Sequence, residues 1–196
     1  MESRSLIILS IKYGKVKAGQ NTAVIGFGGL GSIAAKLLQS KGAKVTVFDV
    51  NTSKADEAKR MGFDFVDAND VKAKQALTMK FDFILSTVPS NYELQPYVNM
   101  LNIHGKMYCQ GLPNQPQQLL APTLTFANRT LTGTVVGTIA DHQEVLDYCA
   151  EHSIYPEVEV INVDEANLAI DKLRSSTGKF RYVIDMSTLT KNTKMK

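Results

Sequence analysis

The chain is poor in the residues that build metal sites and disulfide frameworks: its 196 residues include two cysteines and three histidines. Cys109 and Cys149 lie far apart, in stretches that read as a buried strand and a helix face. They are expected as small core residues rather than as a bridge or as ligands, which suits a reducing compartment and a cytoplasmic protein. His104, His142 and His152 show no i,i+4 pairing, so capping or surface roles are expected and metal ligation is not. Charge of one sign is also scarce. Lys and Arg total 22 against 19 Asp and Glu, a net charge of +3. Much of that excess sits in residues 191–196, expected to be a disordered tail. With no basic patch interleaved with aromatics, nucleic-acid binding is not expected. No apolar run approaches the ~20 residues of a membrane span. Ser5–Ile11 is short and lacks a plausible cleavage site, so no signal peptide is read there. What remains, 44% hydrophobic and 21% charged, is the composition of an ordinary globular protein. The length suits one domain, or one domain plus part of another.

The stretch that organises the chain is Thr22–Asp49. Thr22-Ala23-Val24-Ile25 is a short apolar run that enters Gly26-Phe27-Gly28-Gly29-Leu30-Gly31. Leu30, Ile33, Ala34, Leu37 and Leu38 then recur at helical spacing, Gly42 ends the helix, and Lys44–Phe48 forms a second strand leading to Asp49. This is a G-x-G-x-x-G turn in its strand–turn–helix context, with an acidic residue about 20 positions on, and it predicts a dinucleotide site. Gly26 permits the tight turn, Gly28 admits a pyrophosphate against bare backbone, and Gly31 lets the helix lie close to the strand. The amides and dipole at the helix start hold the phosphate charge. Asp49 is placed to accept from the ribose hydroxyls and to repel a 2′-phosphate, so NAD is favoured over NADP. Gly29 and Leu30 in the turn, with Asn51 and Lys54 just past Asp49, complete this part of the expected cofactor site.

Further along, strands and helices alternate. A turn at Asn51-Thr52-Ser53 opens a helix that Gly62 stops, and Phe63–Val66 is a third strand. Asp70 caps a weak helix, and Phe81–Val88 is a strong buried strand closed by Pro89. A helix is expected from about Gln95 to Leu101, then a strand over Gly105–Gly111. Leu112–Ala127, rich in proline and glutamine and without helical period, is expected as a surface excursion, and Thr130–Gly137 as strand. Asp141 is expected to cap the next helix, with Glu144 three residues on. The alternation predicts an α/β fold: a doubly wound, mostly parallel Rossmann sheet of order 3-2-1-4-5-6. Beyond it, Glu157–Ile161, Asp164–Arg174 (ended by Gly178) and Phe180–Met186 read as a strand–helix–strand extension.

From about Ile11 to Leu189 the sequence resembles the zinc-type, medium-chain alcohol dehydrogenases, most closely the cinnamyl-alcohol-dehydrogenase-like branch. The resemblance rests on Lys15–Gln20, Gly26–Gly31, Phe81–Val88, Leu146–His152 and Phe180–Asp185. It implies an oxidoreductase that moves hydride between alcohols or aldehydes and a nicotinamide ring. It implies further that Thr87 and Val88 line the adenine and nicotinamide-ribose side, that Gly111-Leu112 and Val135-Val136 contact the nicotinamide region, and that Arg181 returns to the cofactor phosphates. Many members of the branch carry hydroxyl residues where this chain has Asp49, a departure that again points to NAD. Members begin with a catalytic domain carrying the zinc ligands, for which this chain has no counterpart. Zinc is thus expected only in the full-length family, with neither metal ligands nor catalytic residues here, and the chain is expected to bind NAD(H) without turning over alcohol. The implied domains are a connecting segment at 1–18, an NAD-binding domain at 19–155, a catalytic-domain remnant at 156–190 and the tail. A homodimer through Leu112–Gly137 is implied as well, and Ile7, Ile8, Val158 and Val160 are expected to pack through oligomer contact or tail exchange. The alternative reading is a non-catalytic dinucleotide-binding or dimerisation module.

Overall fold

The computed structural model describes residues 2–134, 137–174 and 181–189, and the chain divides into two compact units, 1–154 and 155–196. The first is built on six strands: β1 (Asn21–Ile25), β2 (Lys44–Asp49), β3 (Asp64–Asp67), β4 (Phe81–Ser86), β5 (Leu101–Cys109) and β6 (Thr130–Gly133). They form one sheet in the order β3-β2-β1-β4-β5-β6, every pair parallel, as the alternating pattern predicts. A parallel sheet is covered on both faces, which is why β1 and β4 carry consecutive apolar residues, Ala23–Ile25 and Phe83–Leu85. Ala23, Val24, Phe83, Ile84 and Leu85 are all buried.

The helices are α1 (Glu2–Gly14), α2 (Gly29–Ser40), α3 (Ala55–Arg60), α4 (Val71–Ala76), α5 (Leu94–Asn99), α6 (Pro122–Thr125) and α7 (Ile139–Glu151). Ile33, Ala34, Leu37 and Leu38 of α2 are buried, and α1 packs against both α2 and α7. Around α5, Phe48 stands edge-on to Phe81 (ring centroids 6.1 Å apart) and to Tyr97 (5.5 Å). Such T-shaped pairs add to the roughly 1.5–3 kcal/mol that burying each side chain contributes.

The second unit holds β7 (Glu159–Asn162), a 3-10 turn over Val163–Glu165, α8 (Ala166–Arg174) and β8 (Tyr182–Asp185). β7 and β8 pair in parallel, the strand–helix–strand the sequence predicts.

Several local expectations are corrected. The apolar start is a helix that buries Ile7, Leu9 and Ile11 within the chain itself, so Ile7 needs no outside partner. Leu101 opens β5 rather than closing a helix, because α5 ends at Asn99 and the strand bends through an irregular register opposite Phe81 and Phe83. The segment 112–127 contains the short helix α6, with Pro122 in its first turn. The cap of α7 is Thr138, not Asp141. Thr138 Oγ1 accepts from the Asp141 amide and the Asp141 carboxylate accepts from the Thr138 amide, a reciprocal box one turn earlier than expected. α8 begins at Ala166, after the 3-10 turn. Val135 and Val136, Gly178 and residues 191–196 lie outside the described residues.

Candidate functional site

The glycine turn joins β1 to α2 at the carboxyl edge of the sheet. Gly26 holds φ +89°, and its amide donates to the Phe48 carbonyl at 2.8 Å. That conformation strains any residue with a Cβ. A Cβ at Gly31 would land on the Gly26 carbonyl oxygen, so the first turn of α2 folds back onto the loop only because Gly31 lacks one. Gly28 differs. Its backbone is extended and a Cβ there would meet nothing within 4 Å. The space beside Gly28 is therefore open, and no side chain caps α2. Gly29, Leu30 and Gly31 place the first-turn amides at that opening, where an outside anion can satisfy them.

Asp49 ends β2 and is buried, with 7% of its surface exposed. Its Oδ2 accepts from the Phe27 amide at 2.8 Å and from Lys54 Nζ at 2.9 Å, and its Oδ1 accepts from the Asn51 amide at 2.8 Å. Asn51 in turn caps the 3-10 turn Thr52–Lys54 by accepting from the Ser53 amide, which positions Lys54 over Asp49. A carboxylate offers about four lone-pair positions. Three are used, leaving Oδ1 able to accept one further hydroxyl. The carboxylate thus ties the second strand to the middle of the glycine turn.

Thr87 and Val88 follow β4. Thr87 Oγ1 donates within 3.1 Å of the Ile25 and Gly26 carbonyls, bracing the turn from the other side. Gly111 passes so close to the Val88 carbonyl that a Cβ would overlap it, which brings the loops after β4 and β5 together. Leu112 is largely exposed beyond it. The structure therefore gathers Gly26, Gly28, Gly29, Leu30, Gly31, Asp49, Asn51, Lys54, Thr87, Val88 and Gly111 at one edge of the sheet. Arg181 belongs to the second unit, where its carbonyl accepts from the Glu159 amide. Val136 lies outside the described residues.

Three supports carry no sequence signal. Gln110 donates to Ser10 at 2.9 Å, linking the residue after β5 to the buried face of α1. Gln95 bonds Thr123, Asn99 and the Leu120 amide, stapling the proline-rich segment to α5. Arg129 reaches the Thr123 and Asn99 carbonyls from the far side. Each joins residues distant in sequence or in aperiodic loops, where spacing says nothing.

Burial sets the titration behaviour nearby. It pushes the Tyr97 phenol up to about 12, aided by Asp67 and Glu93, and raises Tyr92 further. It also raises the Cys109 thiol, whose sulfur lies 3.9 Å from the Tyr92 hydroxyl. A thiol so placed is a packing residue rather than a nucleophile. Among the described residues no three His, Cys, Asp or Glu side chains come together as a metal site needs, and no helix is long and apolar enough to cross a membrane.

A profile of the family described as zinc-binding dehydrogenase matches residues 29–151. An NADP-dependent alcohol dehydrogenase C of Mycolicibacterium smegmatis is 37% identical over 172 residues, covering 87% of this chain and 49% of its own length. The mannitol dehydrogenase of Apium graveolens is 38% identical over 177 residues, covering 89% and 48%. Among solved structures, the cinnamyl alcohol dehydrogenase SbCAD4 from Sorghum bicolor superposes with a TM-score of 0.90 at 29% identity, over 96% of this chain and 54% of that one. The Helicobacter pylori CAD complexed with NADP(H) gives 0.85 at 33% identity, over 96% and 54%. The chain spans about half the length of the relatives it matches.

Proposed function

The chain belongs to the zinc-binding dehydrogenase family, the zinc-type alcohol dehydrogenases its motifs resemble, and from that premise we propose that it is the dinucleotide-binding portion of an NAD-preferring alcohol dehydrogenase. The observation that carries this is the pairing of the open space beside Gly28 with the Asp49 carboxylate tied to the neighbouring Phe27 amide. The α2 amides would hold the pyrophosphate, Asp49 Oδ1 the ribose hydroxyls, and the crossing at Val88 and Gly111 the nicotinamide end. The bound dinucleotide would supply hydride transfer. The chain's own residues bind and orient it, and no zinc-dependent step is assigned to them.

The preference for NAD departs from relatives named as NADP-dependent. It is supported by the buried carboxylate, which repels a 2′-phosphate, and by Lys54, whose ammonium is already engaged by Asp49. NADH titration followed by fluorescence is expected to saturate, with NADPH about tenfold weaker or more, the cost of some 1.4 kcal/mol of like-charge contact. Gly28→Val, whose Cβ would meet no protein atom within 4 Å, should keep the fold and abolish binding. Asp49→Ser should free Lys54 and reverse the order of the two dinucleotides. A flat NADH response from folded protein rejects the site, and an unchanged order in Asp49→Ser rejects the specificity argument alone. The free thiol of Cys109 supports a reducing, cytoplasmic setting.

A second role, homodimerisation through Leu112–Gly137, is favoured by the position of β6 at the sheet edge and by Leu112, Leu120 and Phe126, which are 70%, 68% and 90% exposed. Sedimentation velocity should show a dimer that Phe126→Asp dissociates without loss of NADH binding; a monomeric wild type rejects the pairing.

A further inference from the structure

At the opposite end of α2 from the glycine turn, the carboxyl ends of α1 and α2 and the middle of α7 enclose a cavity of about 200 Å³. α2 has 12 residues, so at 1.5 Å per residue its length of about 18 Å separates this cavity from the dinucleotide crevice. Ile11, Val16 and Leu37 line it with apolar surface; Lys12, Lys15, Lys41, Glu144 and Tyr148 complete the lining.

The walls are held in place. Lys12 Nζ donates to Glu144 at 2.6 Å and lies 3.9 Å from Asp141, joining α1 to α7. The Tyr148 hydroxyl is 3.0 Å from Ser40 Oγ, joining α7 to α2, and its ring stacks on His152. Lys41 Nζ sits 3.8 Å from the Tyr148 ring centroid. These contacts neutralise Lys12 but leave Lys15 and Lys41 without a carboxylate partner among the described residues.

Lys15 is the informative residue. α1 ends in a paired 6→1 and 5→2 closure, Val16 amide to Ile11 carbonyl (3.3 Å) and Lys15 amide to Lys12 carbonyl (3.0 Å), which puts Lys15 in the left-handed position at φ +54°. Glycine is the residue this position favours, and Gly14 stands one place too early to fill it. The chain accepts a strained lysine there, and that lysine carries a cation to the cavity. The two helix ends bring about half a negative charge each, which the two ammoniums lacking a carboxylate partner exceed.

We propose that this cavity binds a small monocarboxylate with an apolar body. The ring or branched chain would lie on Ile11, Val16 and Leu37, and the carboxylate between Lys15 and Lys41. The volume falls below the ~300–1,000 Å³ of pockets that enclose drug-sized ligands, which excludes a dinucleotide and suits a single ring.

Benzoate is the probe, with methyl NMR of the full chain as the readout. Saturable shifts are expected at the Ile11, Val16 and Leu37 methyls, unchanged when NADH fills the crevice. Lys15→Gly and Lys41→Gln should each weaken binding by up to about fivefold, the range of partly exposed charge contacts. Lys15→Gly should do so with an unchanged or raised Tm, since glycine suits the left-handed position, so lost binding cannot be lost folding. Benzyl alcohol, the neutral counterpart, should bind more weakly than benzoate. Absence of saturable shifts overturns the proposal, as do equal binding of benzyl alcohol, unchanged affinity in both variants, or shifts that NADH abolishes. A failed NADH titration with these shifts intact would reject the dinucleotide reading and leave this one standing.

Discussion

The two units solve the same problem, pairing parallel strands through a helix, with opposite results. In the first, the four inner strands of a six-stranded sheet carry buried residues, and Phe27, Phe48, Phe81 and Phe83 are almost fully buried. In the second, β7 and β8 form a two-stranded sheet in which, among the described residues 155–174 and 181–189, Ile161 and Ala169 alone are buried. Val160 is 65% exposed and Met186 63%. Parallel pairing needs cover on both faces, and a sheet of two strands is marginal without it. The same β–α–β grammar is thus self-sufficient only when repeated often enough to bury its own faces.

The largest test of that contrast is a matched pair of truncations. Phe48→Ala, in the aromatic cluster with Phe81 and Tyr97, should cost about 3–5 kcal/mol in urea unfolding followed by circular dichroism. Val160→Ala in β7 should stay within about 0.5 kcal/mol. Similar losses at the two positions would erase the distinction. A middle-sized effect is expected at Thr138→Ala, which removes the cap of α7 and should cost about 1 kcal/mol; Asp141→Asn, which keeps the shape, should cost less. The smallest effect is one of pH. The Thr138 hydrogen bonds, with help from Lys12 and His142, hold the Asp141 carboxyl below its ordinary value. A depressed carboxylate pKa contributes stability that is complete above the unfolded value near 4 and is lost as pH falls through the folded one. Acid unfolding of the Asp141→Asn protein should therefore show a shallower slope below about pH 4; an identical slope would remove Asp141 from the account.

Much of this was legible in advance because it is periodic. The apolar runs of β1, β2 and β4, the α2 stripe ending at Gly42 and the G-x-G-x-x-G turn predict the sheet order and the meeting of the glycine turn with Asp49 at its carboxyl edge. The errors fall where one local signal had to choose between partners. Asp141 is a good cap by type, but Thr138 stands three residues earlier and takes the role, leaving Asp141 to close the box. For the apolar start at Ile7–Ile11 the sequence predicts no particular element, and the structure makes it a helix packed against α2 and α7.

Sequence alone determined what depends on spacing along one chain: the alternation of elements, the bare-backbone turn and the acidic residue at the end of the second strand. Tertiary structure decided what depends on distant groups meeting: that Asp49 is held by Phe27 and Lys54, that Gln110 reaches Ser10, and that three helices close a lysine-rimmed cavity. A covalent chain records its own period, but it does not record which of its polar groups will share an edge until the sheet has brought them there.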